Sequence, residues 1–241
     1  MTDNALLINE VFKANRIERL LTPSITAKLD TLIKRMIDVN EKMNLTAITE
    51  PEDVILKHIA DSATVVEYIP KNARLLDVGT GAGFPALPIA IFRPDVSVYA
   101  LDSTAKKLKY IEETAKLLEL DNIKTVSGRA EELGRSVNYR ERFDVVTARA
   151  VAGLNVLTEL CVPFVKLGGL FVSMKGSSAA EELDLAKSGV VQLGGSRFND
   201  IPLILAYNGN ELQRHILISK KLKNTPDSFP RMYNRITKKP L

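Results

Sequence analysis

The run from Arg74 to Phe84, Arg-Leu-Leu-Asp-Val-Gly-Thr-Gly-Ala-Gly-Phe, constrains the fold of this chain more than any other stretch. Leu75 to Val78 predicts a short, largely apolar strand, and the apolar run from Pro85 to Phe92 predicts the start of a helix. Between them lie Gly79, Gly81 and Gly83. This layout is typical of nucleotide-type cofactor sites, because the ligand approaches bare main chain and the helix directs free N–H groups towards it.

The glycine spacing and the acidic residue before it indicate the kind of ligand. The pattern is Gly-x-Gly-x-Gly, whereas dinucleotide sites use Gly-x-Gly-x-x-Gly. Asp77 ends the strand, and a buried carboxylate there favours an ammonium or hydroxyl group over a pyrophosphate, whose charge it would repel. We therefore predict S-adenosylmethionine as the cofactor, with an NAD-dependent redox enzyme as a weaker alternative. A purely structural glycine turn stays open at this point.

Length and composition limit the class of protein. The chain has 241 residues, 45% of them hydrophobic, which is enough for one large α/β domain with an appendage. No apolar run reaches the ~18 residues that a membrane span requires, and Met1 to Leu7 lacks the basic segment of a secretory signal. Cys161 is the single cysteine, and two histidines are too few for a zinc site. We expect a cytoplasmic monomer without a metal or a stable protein partner.

Periodicity divides the chain into three parts. Residues 1–70 predict a helical N-terminal extension, in which Ser24 caps the second helix. Residues 71–219 alternate strands and helices, which predicts an α/β fold with a doubly wound, mostly parallel sheet. Residues 220–241 form a basic tail. The strands are expected at residues 75–78, 97–102, 123–128, 143–148 and 170–174. A late pair of strands is expected at residues 190–193 and 215–219. We also expect Gly168-Gly169 to end the helix before the fifth strand.

Polar residues at the ends of the second and third strands are candidates for binding an adenosine group. Asp102 follows the glycines by about 20 residues, where a carboxylate accepts both ribose hydroxyls. The alternative is that Asp102 caps the next helix, but Ser103 and Thr104 could do so instead. After the third strand, the Ala130 N–H could pair with an adenine nitrogen, and Glu131 could accept from the adenine amino group. The alternative there is a solvated helix start.

The remaining candidates lie near the expected position of the methyl group. Phe84 either walls the cofactor or belongs to the core. Arg149 ends the fourth strand, where a guanidinium suits a phosphate or a guanine edge, or forms an ion pair with a neighbouring loop. Lys175 is a weaker candidate of the same type. His58 and Asp61 share a helix face and could reach the active site, but we expect His58 to be a hydrogen-bonded histidine of the surface or core.

The chain carries none of the signatures of two common methylation chemistries. Cys161 lies in an apolar helix and is expected in the core, so it does not serve as the nucleophile that pyrimidine C5 methylation needs. No Pro-Pro dipeptide occurs, which disfavours methylation of exocyclic amines. Guanine N7 carries a free lone pair, so its methylation needs positioning more than deprotonation.

Basic residues concentrate at the C-terminus. From Lys220 to Leu241 the chain has seven basic residues and one acidic residue, a net charge of +6, whereas the remaining residues sum to −2. Such a tail indicates a polyanion partner, and the alternative is a solubilising tail. Candidate RNA contacts are Lys175, Lys220, Lys221, Arg231, Arg235, Lys238 and Lys239.

Several motifs together resemble one bacterial family. They are Asn44-Leu-Thr-Ala-Ile, the segment with His58, Ala60, Asp61 and Ser62, Leu76-Asp-Val-Gly-Thr-Gly-Ala-Gly-Phe-Pro85, Leu101-Asp-Ser103 with Lys106-Lys107, Gly128-Arg-Ala-Glu-Glu132, Phe143-Asp-Val-Val-Thr-Ala-Arg-Ala150 and Phe229-Pro-Arg231. In this order they resemble the small-subunit ribosomal RNA guanine-N7 methyltransferases, also called glucose-inhibited division protein B. The family often has tyrosine at the position of Phe229 and glycine near Asn234.

The resemblance implies a class I S-adenosylmethionine-dependent methyltransferase fold with a seven-stranded sheet. It implies methyl transfer from S-adenosylmethionine to one guanine N7 in 16S ribosomal RNA, as naked RNA or in the small subunit. It places cofactor contacts at Gly79, Phe84, Ala130, Glu131 and Arg149. An alternative hypothesis comes from another functional class. A non-catalytic nucleotide-dependent RNA-binding module would explain the basic tail, but it would not explain why Asp102 and Glu131 occur together.

Overall fold

A seven-stranded sheet with the strand order β3-β2-β1-β4-β5-β7-β6 organises the protein, described here by a computed structural model of residues 2–241. The first five strands are parallel, and β7 runs antiparallel to both β5 and β6. The strands are β1 (Arg74–Val78), β2 (Ser97–Asp102), β3 (Ile123–Ser127), β4 (Phe143–Arg149), β5 (Val165–Lys175), β6 (Asn199–Tyr207) and β7 (Asn210–Lys220).

Helices precede the sheet and cover both of its faces. Before β1 the chain forms α1 (Asp3–Ala14), α2 (Pro23–Met43) and a third helical segment made of α3 (Pro51–Val54), a π-helical turn (Ile55–Ala60) and α4 (Asp61–Ala63). The others are α5 (Ala86–Phe92), α6 (Ala105–Leu117), α7 (Ala130–Leu133), α8 (Leu154–Cys161), α9 (Ala179–Gln192) and α10 (Tyr233–Lys238). Short 3₁₀ turns lie at Glu18–Leu20, Val66–Tyr68 and Val162–Phe164. Within residues 2–241, no helix combines the length and apolar character that crossing a membrane requires.

The parallel strands place their C-terminal residues along one side of the sheet, which we call the carboxyl edge and define by Val78, Asp102, Arg149 and Lys175. The strand order reverses between β1 and β4, so a crevice opens at this edge. The prediction of a doubly wound, mostly parallel sheet is confirmed.

Two hydrophobic clusters fill the space between the layers. One joins Ile8, Ile33 and Ile59 of the N-terminal helices to Leu75 and Val145 of the sheet. The predicted N-terminal extension therefore shares a core with the strands. The other cluster lies on the opposite face and contains Cys161, whose predicted place in the core is confirmed.

Two predictions on late elements are wrong. Residues 190–193, expected as a strand, complete α9, because Val190 packs on the buried face of that helix beside Ala186. Tertiary packing here overrides the β-propensity of two adjacent valines. The strand that pairs with β7 is instead β6, which contains Pro202 and lies at the sheet edge, where proline is tolerated.

Two predicted helix boundaries are also wrong, and one predicted cap lacks its hydrogen bond. Thr22, not Ser24, caps α2 by accepting the N–H of Ile25 at 3.2 Å. Thr104 is the N-cap residue of α6, as predicted, but its side chain makes no capping hydrogen bond. Gly168 and Gly169 do not end a helix but lie within β5, where the Gly169 carbonyl accepts from the Lys221 N–H. The strand ladder satisfies these backbone groups in place of a helix C-cap.

The C-terminal segment after β7 packs against the domain. Phe229 and Ile236 are buried in the second cluster. Arg140 donates to the carbonyl oxygens of Phe229 and Thr225, and Arg135 donates to that of Pro230. The segment that the sequence presents as a tail is therefore fixed to the body along its length.

Candidate cofactor and acceptor site

A cavity of about 480 Å³ opens at the carboxyl edge beside the end of β1. We call it the first cavity. The loops after β1, β2, β3 and β4 form its walls, which is the position that a reversal of strand order predicts. It brings together most of the residues predicted to bind the cofactor, namely Gly79, Gly81, Phe84, Asp102, Ala130, Glu131 and Arg149.

The three glycines of the loop are required for different structural reasons. All three have positive φ, at +70° for Gly79, +58° for Gly81 and +86° for Gly83. A Cβ at Gly79 would lie 2.6 Å from Val151 Cγ2, and one at Gly83 would lie 2.5 Å from Leu87 Cδ1. A Cβ at Gly81 would clash with nothing, since its nearest neighbour would be the Gly79 carbonyl oxygen at 3.9 Å. Gly81 is therefore the loop glycine with room for a ligand beside it, whereas Gly83 faces the core and does not line the cavity.

Asp77 lies beneath the loop and does not line the first cavity, so the structure does not support the predicted direct contact with the cofactor. Its side chain is buried, with Oδ1 accepting from the Thr147 hydroxyl at 2.9 Å. Within residues 2–241, Oδ2 has no hydrogen-bond partner. Burial raises the pKa of Asp77 to about 6, against the opposing effect of the Thr147 donor. Asp77 therefore ties the end of β1 to β4 through Thr147.

Asp102 joins the glycine loop to the start of α6. Its Oδ2 accepts from the Gly81 N–H at 3.1 Å, and its Oδ1 accepts from the Thr104 N–H at 2.8 Å. The carboxylate therefore holds the start of α6, and it also lines the first cavity, where its contact with a ribose stays a prediction. Each carboxylate oxygen has a further lone pair for a ribose hydroxyl.

Ala130 and Glu131 open α7 on the β3 side of the first cavity. Glu131 is largely buried, and its Oε1 accepts from Arg129 Nε at 3.0 Å. This side of the cavity thus carries a carboxylate, paired with Arg129, beside a helix start.

Arg149 ends β4 and is held by the third helical segment. Its Nη1 donates to the Lys57 carbonyl and to Asp61 Oδ2, each at 3.0 Å, and its Nη2 contacts His58 Nδ1 at 3.1 Å. The guanidinium carbon also lies 5.6 Å from the centre of the Phe84 ring. The ion pair considered for Arg149 therefore exists. A guanidinium carries five N–H donors, so these contacts do not exhaust it.

The neighbours of His58 define its protonation. Arg149 can only donate, so Nδ1 of His58 accepts and carries no proton. The proton then lies on Nε2 and is donated to Thr46 Oγ1 at 3.1 Å. Burial, followed by the charge of Arg149, lowers the His58 pKa to about 3. The ring stacks on Phe84 with centroids 4.7 Å apart. His58 is neutral at physiological pH.

A second cavity of about 570 Å³ adjoins the first. The two share His58, Arg149 and residues 150–152, which we call the shared wall. The second cavity adds charged groups that are already paired. Arg214 Nε lies 2.9 Å from Asp61 Oδ1, and Lys175 Nζ lies 2.7 Å from Glu182 Oε2.

The structure corrects several predicted RNA contacts. Lys221 has a fully buried ammonium that lies 3.1 Å from Glu141 Oε1 and donates to the Val162 carbonyl, so it cannot reach a nucleic acid. The Arg231 guanidinium is bound to the buried Glu159. These two cations serve the fold where the charge pattern indicated a surface. Lys175 pairs with Glu182 and donates to the Ala152 carbonyl, but it also lines the second cavity, so its contact with RNA stays a prediction.

The other predicted cations are exposed but lie in different places. Arg235, Lys238 and Lys239 are exposed on or just after α10. Lys220 pairs with Leu170, the first residue of β5 that pairs with β7, so it lies at the opposite end of this pairing from Lys175 and the carboxyl edge.

Sequence reasoning missed several residues at the site. His58 was expected to be structural, with a contact at the active site only as the weaker alternative for His58 and Asp61, and Thr46 and Arg214 were given no role. His58, Asp61 and Thr46 lie within motifs that carried the family resemblance. Tyr233 lines the first cavity from the C-terminal segment, and no motif indicated it. Only the docking of distant segments reveals these residues.

Comparisons with known proteins agree with this geometry. The family model GidB, described as rRNA small subunit methyltransferase G, matches residues 25–216. A protein named ribosomal RNA small subunit methyltransferase G from Alkaliphilus oremlandii is 41% identical over 220 residues, which cover 89% of this chain and 91% of that protein. One of the same name from Clostridium perfringens is 45% identical over 204 residues, covering 84% of each chain.

Solved structures at low identity share the fold. An S-adenosylmethionine-dependent O-methyltransferase from Thermotoga maritima aligns with a TM-score of 0.53 at 14% identity, over 79% of this chain and 72% of that one. The M. jannaschii protein TYW2, solved with AdoMet, aligns with a TM-score of 0.50 at 17% identity, over 73% of this chain and 76% of that one. The fold is that of class I methyltransferases, and the matched family model covers most of the sequence. The chain therefore belongs to the rRNA small subunit methyltransferase G (GidB) family.

Proposed function

We propose that this protein transfers a methyl group from S-adenosylmethionine to the N7 of a guanine in 16S ribosomal RNA of the small subunit. The observation that carries the proposal is the pair of cavities that meet at the shared wall of His58, Arg149 and residues 150–152. One cavity has the features of a cofactor site, and the neighbouring cavity is open to an acceptor.

The first cavity fits S-adenosylmethionine by the chemistry of its lining. The bare main chain at Gly81 leaves space for a ligand. Asp102 and Glu131 supply acceptors for the ribose hydroxyls and the adenine amino group, and Phe84 supplies an aromatic face. The Gly-x-Gly-x-Gly spacing of the loop, in place of Gly-x-Gly-x-x-Gly, disfavours a dinucleotide.

The side chains around the second cavity support a reaction that needs no proton removal. When bound, S-adenosylmethionine supplies an electrophilic methyl group on a cationic sulfonium. His58 is unsuited to act as a general base, because its Nδ1 lone pair accepts from Arg149 and its Nε2 carries the proton. Asp61 and Glu182 are ion-paired. The guanine N7 lone pair needs no base, so Arg149 has only to position the acceptor.

Ribosomal RNA as the substrate is supported by the names of the relatives and by the exposed cations on α10. The first residue of α10 lines the first cavity, so these cations lie close to the carboxyl edge. We propose that Arg235, Lys238 and Lys239 contact phosphates of the RNA while the acceptor guanine occupies the second cavity.

The test is methyl transfer from labelled S-adenosylmethionine to small-subunit ribosomal RNA, as naked RNA and as assembled subunits, followed by mapping of the labelled nucleotide. We expect the label on one guanine N7. Label on another atom, or RNA binding without turnover on either substrate, would contradict the proposal, and the latter result would favour a non-catalytic RNA-binding module.

Arg149→Ala separates the two sides of the site. We expect turnover to fall by at least about tenfold more than the affinity for S-adenosylhomocysteine, because the guanidinium stands between the cavities. Equal losses in both measurements would assign Arg149 to the cofactor cavity alone. Calorimetry gives the affinity and the labelled-methyl assay gives the turnover.

A further inference from the structure

The C-terminal segment supplies one wall of the first cavity. Tyr233 is the first residue of α10, is 40% exposed and lines that cavity. It comes from residues 220–241, which the charge pattern associated with RNA alone. A half-exposed aromatic ring beside a cavity is an unfilled stacking surface.

Tyr233 belongs to a chain of contacts on the β3 side of the cavity. The Arg129 guanidinium carbon lies 4.7 Å from the centre of the Tyr233 ring, and Arg129 Nε lies 3.0 Å from Glu131 Oε1. All three residues line the cavity. Glu131 is the residue proposed to accept from the adenine amino group, so the Tyr233 ring lies on the side of the cavity that the adenine would occupy.

The ring is held in place by anchors on both sides of it. Two residues earlier, Arg231 donates its backbone N–H to Glu159 Oε1 at 2.6 Å and its Nη2 to Glu159 Oε2 at 2.6 Å. Three residues later, Ile236 is fully buried in the second hydrophobic cluster. The segment is therefore fixed before any ligand binds, which lowers the entropic cost of using Tyr233 as a contact.

We propose that Tyr233 is a cofactor-binding residue whose ring packs against the adenine of S-adenosylmethionine and closes the first cavity from the C-terminal side. The inference rests on the proposed function, because it takes S-adenosylmethionine as the occupant. Aromatic rings bind nucleobases by stacking in a way that needs no specific hydrogen bond. Arg129 already contacts one face of the ring through its cation–π contact, and the adenine would pack against the other face.

The experiment measures binding of S-adenosylhomocysteine and of 5′-methylthioadenosine, which lacks the amino-acid portion, by calorimetry. Tyr233→Ala is expected to weaken both ligands by a similar factor of about tenfold, because both present the same adenine. Tyr233→Phe retains the ring and is expected to restore most of the affinity. Met232→Ala is the matched control, since Met232 is the preceding residue, is 64% exposed and does not line the cavity.

Each other outcome overturns the inference. Unchanged affinity in Tyr233→Ala removes the contact, and so does a loss for S-adenosylhomocysteine that 5′-methylthioadenosine does not share. A rise only in the KM for RNA would make Tyr233 an RNA contact. An equal loss in Met232→Ala would mean that the segment as a whole is disturbed. If the unaltered protein binds neither ligand, both the proposed function and the inference fail. If the unaltered protein binds both ligands and Tyr233→Ala binds them equally well, only the inference fails.

Discussion

At the scale of single residues, the site is organised by charges that are already matched. Asp61 faces two arginines, since Arg149 Nη1 lies 3.0 Å from Oδ2 and Arg214 Nε lies 2.9 Å from Oδ1. His58 adds a neutral ring whose pKa of about 3 keeps it unprotonated throughout the neutral range. His58 therefore stays uncharged between pH 5 and 8, and the ion pair with Asp61 and the contact with His58 hold Arg149 against the shared wall.

Asp77→Asn is expected to change how stability depends on pH. Burial raises the Asp77 pKa from 3.8 to about 6, so between these values the folded protein holds a proton that the unfolded chain has released. The unfavourable contribution of Asp77 is full above about pH 6 and disappears towards pH 4, and it amounts to at most about 3 kcal/mol. Relative to Asp77→Asn, the unaltered protein should therefore gain stability from pH 7 to pH 4.5.

Urea denaturation of both proteins at the two pH values measures this effect. The comparison cancels the other carboxyl groups, because both proteins share them. A difference in free energy of unfolding that stays constant with pH would contradict the raised pKa of Asp77.

Gly81→Ala tests the loop with a matched control at Gly209. Both glycines have positive φ, +58° and +78°, so both substitutions carry a similar backbone strain of about 1 kcal/mol. Only Gly81 lines the first cavity. We expect Gly81→Ala to weaken S-adenosylhomocysteine binding at least about tenfold because its methyl group occupies ligand space. Gly209→Ala should bind normally in calorimetry, and similar losses in both variants would make the effect one of general strain.

At the scale of elements, the sequence predicted what local patterns determine. The apolar runs of β1 to β5 and the glycine turn follow from composition and spacing, and the structure confirms them. The helical segment from Pro51 to Ala63 was also predicted as a helix. The docking of this segment against Arg149 was not predicted. Lys57 and Asp61 both contact Arg149 from about 90 positions away in the sequence, and no local pattern encodes such a contact.

Lys221 shows why a charge pattern alone misplaces elements. In the sequence, Lys221 lies between the basic residues Lys220 and Lys223. In the structure it directly follows the end of β7 and bridges to Gly195, and alternate side chains at such a position point into the protein. The Lys221 ammonium donates to the Val162 carbonyl and the Thr225 hydroxyl and pairs with Glu141. It fixes the start of the C-terminal segment to the body.

Lys221→Met is therefore expected to lower the free energy of unfolding by about 2–4 kcal/mol, because it leaves buried acceptors without a donor. Lys220→Met is the matched control, since Lys220 is exposed and its loss should cost less than about 0.5 kcal/mol. Urea denaturation compares the two variants. Equal, small effects would show that the buried contacts of Lys221 contribute little.

At the scale of the whole molecule, the positive charge divides between two ends of the sheet. Arg235 and Lys238 lie on α10, whose first residue lines the first cavity. Lys220 and Lys223 lie at or just beyond the opposite end, where Lys220 pairs with Leu170 and Lys223 contacts Gly194. A count of charges along the sequence cannot separate these pairs, because the chain reverses direction between them.

The position of each pair leads to a prediction about RNA binding. Arg235→Ala with Lys238→Ala should weaken binding to small-subunit ribosomal RNA and reduce the slope of log affinity against log salt by between about 1 and 2, because two phosphate contacts and their released counterions are lost. Lys220→Ala with Lys223→Ala removes the same charge from the far end and should leave the slope nearly unchanged. Filter binding across a salt series measures both slopes. Equal reductions would mean that net charge rather than position governs binding, and a larger effect of the Lys220 pair would place the RNA on the other end of the sheet.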